Sequence, residues 1–288
     1  MYSFSYSQPG DLAEALAMLK GNDGSTCVMA GGTDLLLRFR SGRCRASRVV
    51  SLDLPELKTI EADSRQVQIG ASVSLKDIVN QFSGFEAPVG MIAETAASVG
   101  ACQTRNLATI AGNFCTGNAS SDMATALLAV GAYVVIASAD GQRRLPLDQF
   151  FVKNRVTALS PEEIVTKIVI PRKTGLTYGA CFQKVGKRRG HVIAALNAAA
   201  VVGVDESGII RDAALAAGTL APCPVRLYRS EAAILDHAVT EELLQEVSEI
   251  MLTEICPRDS LRASRQYRLQ VAPGLLRRVI CRSLGREE

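Results

Sequence analysis

Tryptophan is absent from this chain, and aromatic residues make up only 5% of it. A surface that stacks nucleic-acid bases needs exposed rings, so the scarcity argues against a single-strand reader. Histidine is almost as rare: His191 and His237 are the only two, too few for a histidine-based metal centre built from this chain alone. Eight cysteines are present, at 27, 44, 102, 115, 181, 223, 256 and 281. No pair has the C-x-x-C spacing of a zinc site or redox dithiol, and none cluster as in a plant-type iron–sulfur site. They read as reduced, buried thiols. No run of about 18 residues is apolar and free of charge; the segment 194–204 is too short and closes on Asp205-Glu206. Met1-Tyr2-Ser3-Phe4-Ser5-Tyr6 lacks the basic start and apolar stretch of a secretory signal. A soluble, cytoplasmic protein is the expectation. The net charge of +3 gives no reason to expect a nucleic-acid or membrane partner. Basic clusters at 184–189 and 258–268 read as solvated surface.

Two phosphate-binding signatures are missing as well. No G-x-G-x-x-G stands between a strand and a helix, and no G-x-x-x-x-G-K-[ST] occurs. A nicotinamide Rossmann site and a P-loop are both disfavoured.

What is present is a 288-residue chain with 48% hydrophobic content, enough to bury a core in one or two domains. The first hundred residues alternate helix and strand signals. Asp11 precedes Leu12, Ala15, Leu16 and Leu19 at helical spacing, and residues 66–70 alternate as a half-buried strand should. Ser74 then caps a helix carrying Leu75, Ile78 and Val79. A small-residue segment, 109–121, leads into a helix over 122–130 and a strand over 132–138. Residues 164–170 form a strand closed by Pro171, and Lys173-Thr174-Gly175 marks a domain boundary. Beyond it, two apolar strands, 193–204 and 209–217, flank a polar turn at Asp205-Glu206-Ser207-Gly208. Helical patterns follow over 227–235, 241–255 and 263–284, with Pro257 and Pro273 interrupting or starting them. This predicts an antiparallel sheet with helices on one side.

Two glycine-containing turns carry candidate chemistry. Val28-Met29-Ala30-Gly31-Gly32-Thr33-Asp34-Leu35 leaves a strand, turns on two glycines and enters a helix. Thr109-Ile110-Ala111-Gly112-Asn113-Phe114, running to Ser121-Asp122, has the same ingredients. Glycine lets backbone approach an anion closely, and a helix start offers unpaired N–H groups. Facing each other, two such turns can clamp a pyrophosphate without a lysine. Taken singly, a Gly-Gly after a strand is more often a plain tight turn.

Ala30-Gly31-Gly32-Thr33-Asp34-Leu35-Leu36 resembles the first flavin-pyrophosphate loop of the FAD-carrying subunits of molybdenum hydroxylases, the kind found in xanthine dehydrogenases. Residues 103–113 resemble their second loop, with Ser121-Asp122 following at the right spacing. The match stays collinear over nearly the whole chain. It takes in Asp53 with Pro55-Glu56-Leu57 and Ile60, residues 69–74, Glu163-Ile164-Val165, and residues 168–171. It continues through Phe182, Lys184 and Arg188-Arg189 to Pro257-Arg258-Asp259-Ser260 with Tyr267-Arg268.

The resemblance implies an α+β protein. Residues 1–173 would form an FAD-binding domain of two α/β subdomains, and 174–288 a C-terminal α+β domain of an antiparallel sheet with helices. It implies that Val28, Met29, Ala30, Gly31, Gly32, Thr33, Asp34 and Leu35, with Thr109, Ile110, Ala111, Gly112 and Asn113, line the FAD pyrophosphate and its neighbours. Asp122 would hydrogen-bond a cofactor hydroxyl. Val99 and Val165 match positions packed near the cofactor, or else are ordinary core. Lys184 matches a lysine near the flavin, or else is a surface lysine. No catalytic side chain is assigned, and no metal ligand.

Neither loop holds a histidine, so the FAD is expected to be noncovalent. The molybdenum cofactor would sit on a large partner subunit and two-iron two-sulfur clusters on a small iron–sulfur subunit, with NAD as acceptor. Partner contacts are expected around 182–189 and the last helices. Three positions depart from the family pattern. Ala111 replaces a glycine, which requires a negative φ there. Ala119 replaces a proline. His191 stands where an aspartate is common, near the route of the nicotinamide, and leaves the acceptor open. Carbon monoxide, nicotinate and aldehyde oxidoreductases share the architecture. A flavin-free assembly subunit is the reading from another class, and a self-sufficient flavin oxidase a third.

Overall fold

The computed structural model describes residues 3–188 and 192–286. His191 and Arg189, singled out above, lie outside the described residues.

The chain opens with a parallel three-stranded sheet. Its elements are β1 (Ser5–Ser7), α1 (Leu12–Leu19), β2 (Thr26–Met29), α2 (Leu35–Arg40) and β3 (Arg48–Ser51). The order β1-β3-β2 places β3 centrally, with Val49 paired to both Tyr6 and Cys27. Asp11 caps α1 by accepting from the Glu14 amide at 2.8 Å. Ala15 and Leu19 then turn inward onto Val50 and Leu52.

A second unit follows: β4 (Ile60–Ala62), β5 (Gln66–Gly70), α3 (Leu75–Phe82), α4 (Val89–Ser98), α5 (Cys102–Leu107), α6 (Ile110–Cys115), α7 (Asp122–Ala129), β6 (Tyr133–Ser138), β7 (Gly141–Pro146), β8 (Phe151–Lys153), β9 (Val156–Thr157) and β10 (Ile164–Pro171). Five of the strands form an antiparallel sheet in the order β4-β5-β10-β6-β7. Its central strand, β10, is buried at six of its eight positions, which is why it reads as a continuous apolar run. Every residue of α7 is buried, so this helix has no solvent face. The small-residue segment 109–121 contains α6, and α5 stands just ahead of it.

The last unit holds β11 (Thr177–Val185), β12 (Leu196–Val204), β13 (Ile210–Gly218), β14 (Val225–Arg226), α8 (Tyr228–Ile234), α9 (Glu241–Glu254) and α10 (Arg265–Ser283). The four strands are antiparallel in sequential order. The helices of this unit pack on one side of the sheet, as expected, and the other side is met by α7 of the preceding unit. Ala198, Ala200, Val202, Ala213, Leu215 and Ala217 join the core with α9 and α10. The alternate residues Ala199, Val201, Ala214 and Ala216 join the core that includes α7. Period-two alternation puts these sets on opposite faces. Both faces are alanine-rich because both receive helices, one of them from the preceding unit. Pro273 departs from expectation, lying inside α10 without ending it.

No helix among the described residues is long and apolar enough to cross a membrane. No cluster of three or more His, Cys, Asp or Glu side chains among them could hold a metal ion. The eight cysteines are all thiols; Cys44, Cys181 and Cys281 are buried, but Cys102 and Cys256 are exposed, against the expectation of buried thiols throughout.

Candidate functional site

The two glycine turns do meet. The first leaves β2 at Met29 and reaches α2 through Ala30-Gly31-Gly32-Thr33-Asp34. Gly31 packs directly on the backbone of Leu107 and Ala108, the entry to the second turn, so closely that a Cβ there would overlap the Leu107 carbonyl. Gly32 adopts φ +68°, a left-handed conformation that glycine accepts at little steric cost. The first helical bond of α2 is Leu36 N–H to the Gly32 carbonyl at 3.1 Å. The amides of Gly31, Gly32, Thr33, Asp34 and Leu35 find no acceptor among the described residues, and the Asp34 side chain caps none of them. Five consecutive unpaired donors at a two-glycine turn suit an anion with several oxygens, such as a pyrophosphate.

The second turn is built differently from the expectation of a second amide cradle. Ile110 N–H donates to the Val73 carbonyl at 3.0 Å, Ala111 N–H to Ala71 at 3.3 Å and Asn113 N–H to Thr109 at 3.0 Å. Gly112 N–H donates to Thr109 Oγ1 at 3.1 Å, the N-cap of α6. These amides are engaged in fixing the turn against the strand-to-helix connection of residues 71–75. What the turn presents is side-chain chemistry. Ser121 Oγ donates to Asn113 Oδ1 at 2.6 Å and accepts from Ala124 N–H as the cap of α7. Ala111 lies in α6 and is not among the positive-φ residues, as its replacement of glycine requires. Ile110 is fully buried in the core and does not line the cleft.

Asp122, at the first position of α7, is tied on both carboxylate oxygens. Lys184 Nζ donates to Oδ2 at 2.8 Å and Asn197 Nδ2 to Oδ1 at 2.7 Å. Lys184 also donates to the Ser98 carbonyl at 2.6 Å, and Thr125 Oγ1 donates to Asn197 Oδ1 at 2.9 Å. Burial raises the Asp122 carboxyl above its ordinary range, and Lys184 offsets this only in part. Lys184 is therefore neither a solvated surface lysine nor a cleft-lining residue: its side chain is only 12% exposed and stands behind Asp122. The group pins α7 to β11 and β12, so the cleft wall is held by the C-terminal sheet.

A cleft of about 550 Å³ runs between the turns. The first loop lines it throughout, from Val28 to Leu35, as do Thr109, Ala111, Gly112, Asn113, Asp122, Val99 and Val165. Of the seventeen site residues expected from sequence, only Ile110 and Lys184 stand back from it. Sequence reasoning missed Cys27, Arg38, Ser72, Asn118, Ser120 and Ile193, which share the lining. Arg38 had a readable signal, a cation one helical turn beyond Asp34. Ile193 had none, because it arrives from the C-terminal unit.

This chain matches two family models: FAD binding domain in molybdopterin dehydrogenase, over residues 2–173, and CO dehydrogenase flavoprotein C-terminal domain, over residues 181–283. It is 29% identical to the xanthine dehydrogenase FAD-binding subunit of Escherichia coli O157:H7, covering 99% of this chain and 98% of that one. It is 27% identical to the nicotinate dehydrogenase FAD-subunit of Eubacterium barkeri, covering 97% and 95%. Among solved structures it is similar to a chain of carbon monoxide dehydrogenase from Hydrogenophaga pseudoflava, with TM-score 0.93, 26% identity and 99% of each chain covered.

Proposed function

The chain belongs to the family of FAD-binding subunits of molybdopterin dehydrogenases, and from that premise we propose that it is the electron-transfer subunit of a xanthine dehydrogenase-like molybdenum hydroxylase. In this reading, electrons leave a substrate at a molybdenum cofactor on a large partner subunit. They cross two-iron two-sulfur clusters on a small partner subunit and reach NAD by way of this chain. FAD, when bound, supplies the exchange between one-electron and two-electron chemistry.

The observation that carries the reading is the run of unpaired amides at residues 31–35. They would hold the pyrophosphate, with Arg38 in the same lining adding positive charge. Asp122 retains lone pairs beyond its bonds to Lys184 and Asn197, enough to accept from a cofactor hydroxyl. Val99 and Val165 supply apolar wall. The chain's own task is to bind and orient; no proton transfer is assigned to any side chain. A flavin-free scaffold would have no use for such a cradle, and that sets this alternative aside. The domain limits 1–173 and 174–288 belong to the same reading, as do partner contacts around 182–189 and the last helices. Substrate choice falls to the large subunit, so the carbon monoxide, nicotinate and aldehyde alternatives differ in the partner rather than here.

Co-purification tests it. The native complex should show flavin and iron–sulfur absorption together and should lose substrate-to-NAD activity when this chain is removed. A chain that elutes alone and oxidises a substrate with NAD at full rate would refute it.

A further inference from the structure

Cys27 and Cys44 are far from the C-x-x-C pattern, yet the fold brings their sulfurs to 3.7 Å. Cys27 sits in β2, and Cys44 follows α2 in a connection held by its own amide donating to the Arg38 carbonyl at 3.2 Å. Around them lie Phe4, Met29, Leu35 and Phe39. Cys44 is 6% exposed. Cys27 is half-buried and lines the same cleft as the glycine turns. The sixteen residues between the two cysteines include the whole first loop, 28–35.

We infer that Cys27 and Cys44 form a thiol–disulfide pair, oxidised by hydrogen peroxide entering through the cleft, whose crosslink closes a ring around the first glycine loop. Cys27, the accessible sulfur, attacks the peroxide O–O bond, giving a sulfenic acid and water. Cys44 then attacks that sulfur and displaces a second water. Two thiols lose two electrons and two hydrogens, and one peroxide becomes two waters. Burial and the neighbouring sulfur push the Cys27 thiol up, so little of it is thiolate at pH 7 and the step is slow. Access decides whether it happens. If FAD occupies the cleft as proposed above, it covers Cys27, and the pair oxidises when the cofactor has been lost.

The full chain, with FAD bound and after FAD has been stripped, is treated with hydrogen peroxide, blocked with an alkylating reagent and mapped by mass spectrometry. The stripped chain should yield one reducible crosslink joining Cys27 to Cys44. Bound FAD should slow its formation by roughly tenfold or more. Cys44→Ser should abolish it and leave Cys27 oxidised singly. Peroxide that takes wild-type Cys27 to a sulfinic acid, or joins it to any other thiol, overturns the proposal. Crosslinking at equal rates with and without FAD would leave the thiol pair standing and remove FAD from this cleft instead, so the two failures are read apart.

Discussion

Gly31→Ala is the sharpest test of how the two turns make one site. The added methyl would fall more than about 1 Å inside the 3.0 Å distance below which Cβ contacts essentially do not occur, and its neighbour is the Leu107 backbone carbonyl, which cannot rotate away. The turns must therefore part. Hydrogen bonds from amides tolerate only about 0.5 Å of spread around their best length, so a shift of that size breaks at least one bond from residues 31–35 to an anion. Each such charge-assisted bond is worth about 1.5–3 kcal/mol, which is roughly ten- to hundredfold in affinity. The FAD-free chain should lose about 1–3 kcal/mol of stability from the same overlap. FAD titration by calorimetry reads the first effect and urea unfolding of the stripped chain reads the second. An alanine variant with FAD affinity within twofold of wild type and an unchanged unfolding midpoint would show that the turns are not packed as described.

Acid precipitation should leave the yellow colour in the supernatant at about one FAD per chain, because neither turn offers a histidine to the flavin; colour retained on the pelleted polypeptide would contradict noncovalent binding. Gly112→Val should empty the flavin site by pushing Thr109 Oγ1, which lies 2.7 Å from where the first added carbon would stand, out of its capping position; full flavin occupancy would show the second turn to be misassigned. Asp122→Ala should destabilise the chain by about 3–5 kcal/mol, since it leaves the buried Lys184 ammonium without its carboxylate, and unfolding of the FAD-free variant measures this apart from cofactor loss. The Cys27 thiol is raised from 9.0 to about 11, so the folded state holds its proton more tightly than the unfolded one. That stabilisation is complete below pH 9 and lost as pH rises toward about 11, and Cys27→Ser should flatten the alkaline limb of the stability–pH curve over that window.

Much of the N-terminal unit was legible because its signals are local. Asp11 and Ser74 each begin a helix with a side-chain cap, and the alternation of residues 66–70 was enough to place β5. The two glycine turns were also visible, as was the need for a negative φ at Ala111. Position along the chain could not reveal which amides are free. Both turns look alike in sequence, but one spends its donors on the carbonyls of Ala71 and Val73 while the other finds no acceptor among the described residues, and that difference depends on what packs beside each. The same limit hid α4, whose residues are apolar on most sides and so show little periodicity. It also hid the buried pairing of Lys184 with Asp122 across 62 residues and the approach of Cys27 to Cys44. Local sequence determined where helices and strands start and which turns can come close to an anion. Tertiary packing alone decided which donors remain unpaired and which charges are buried, because these depend on neighbours that are distant in the chain.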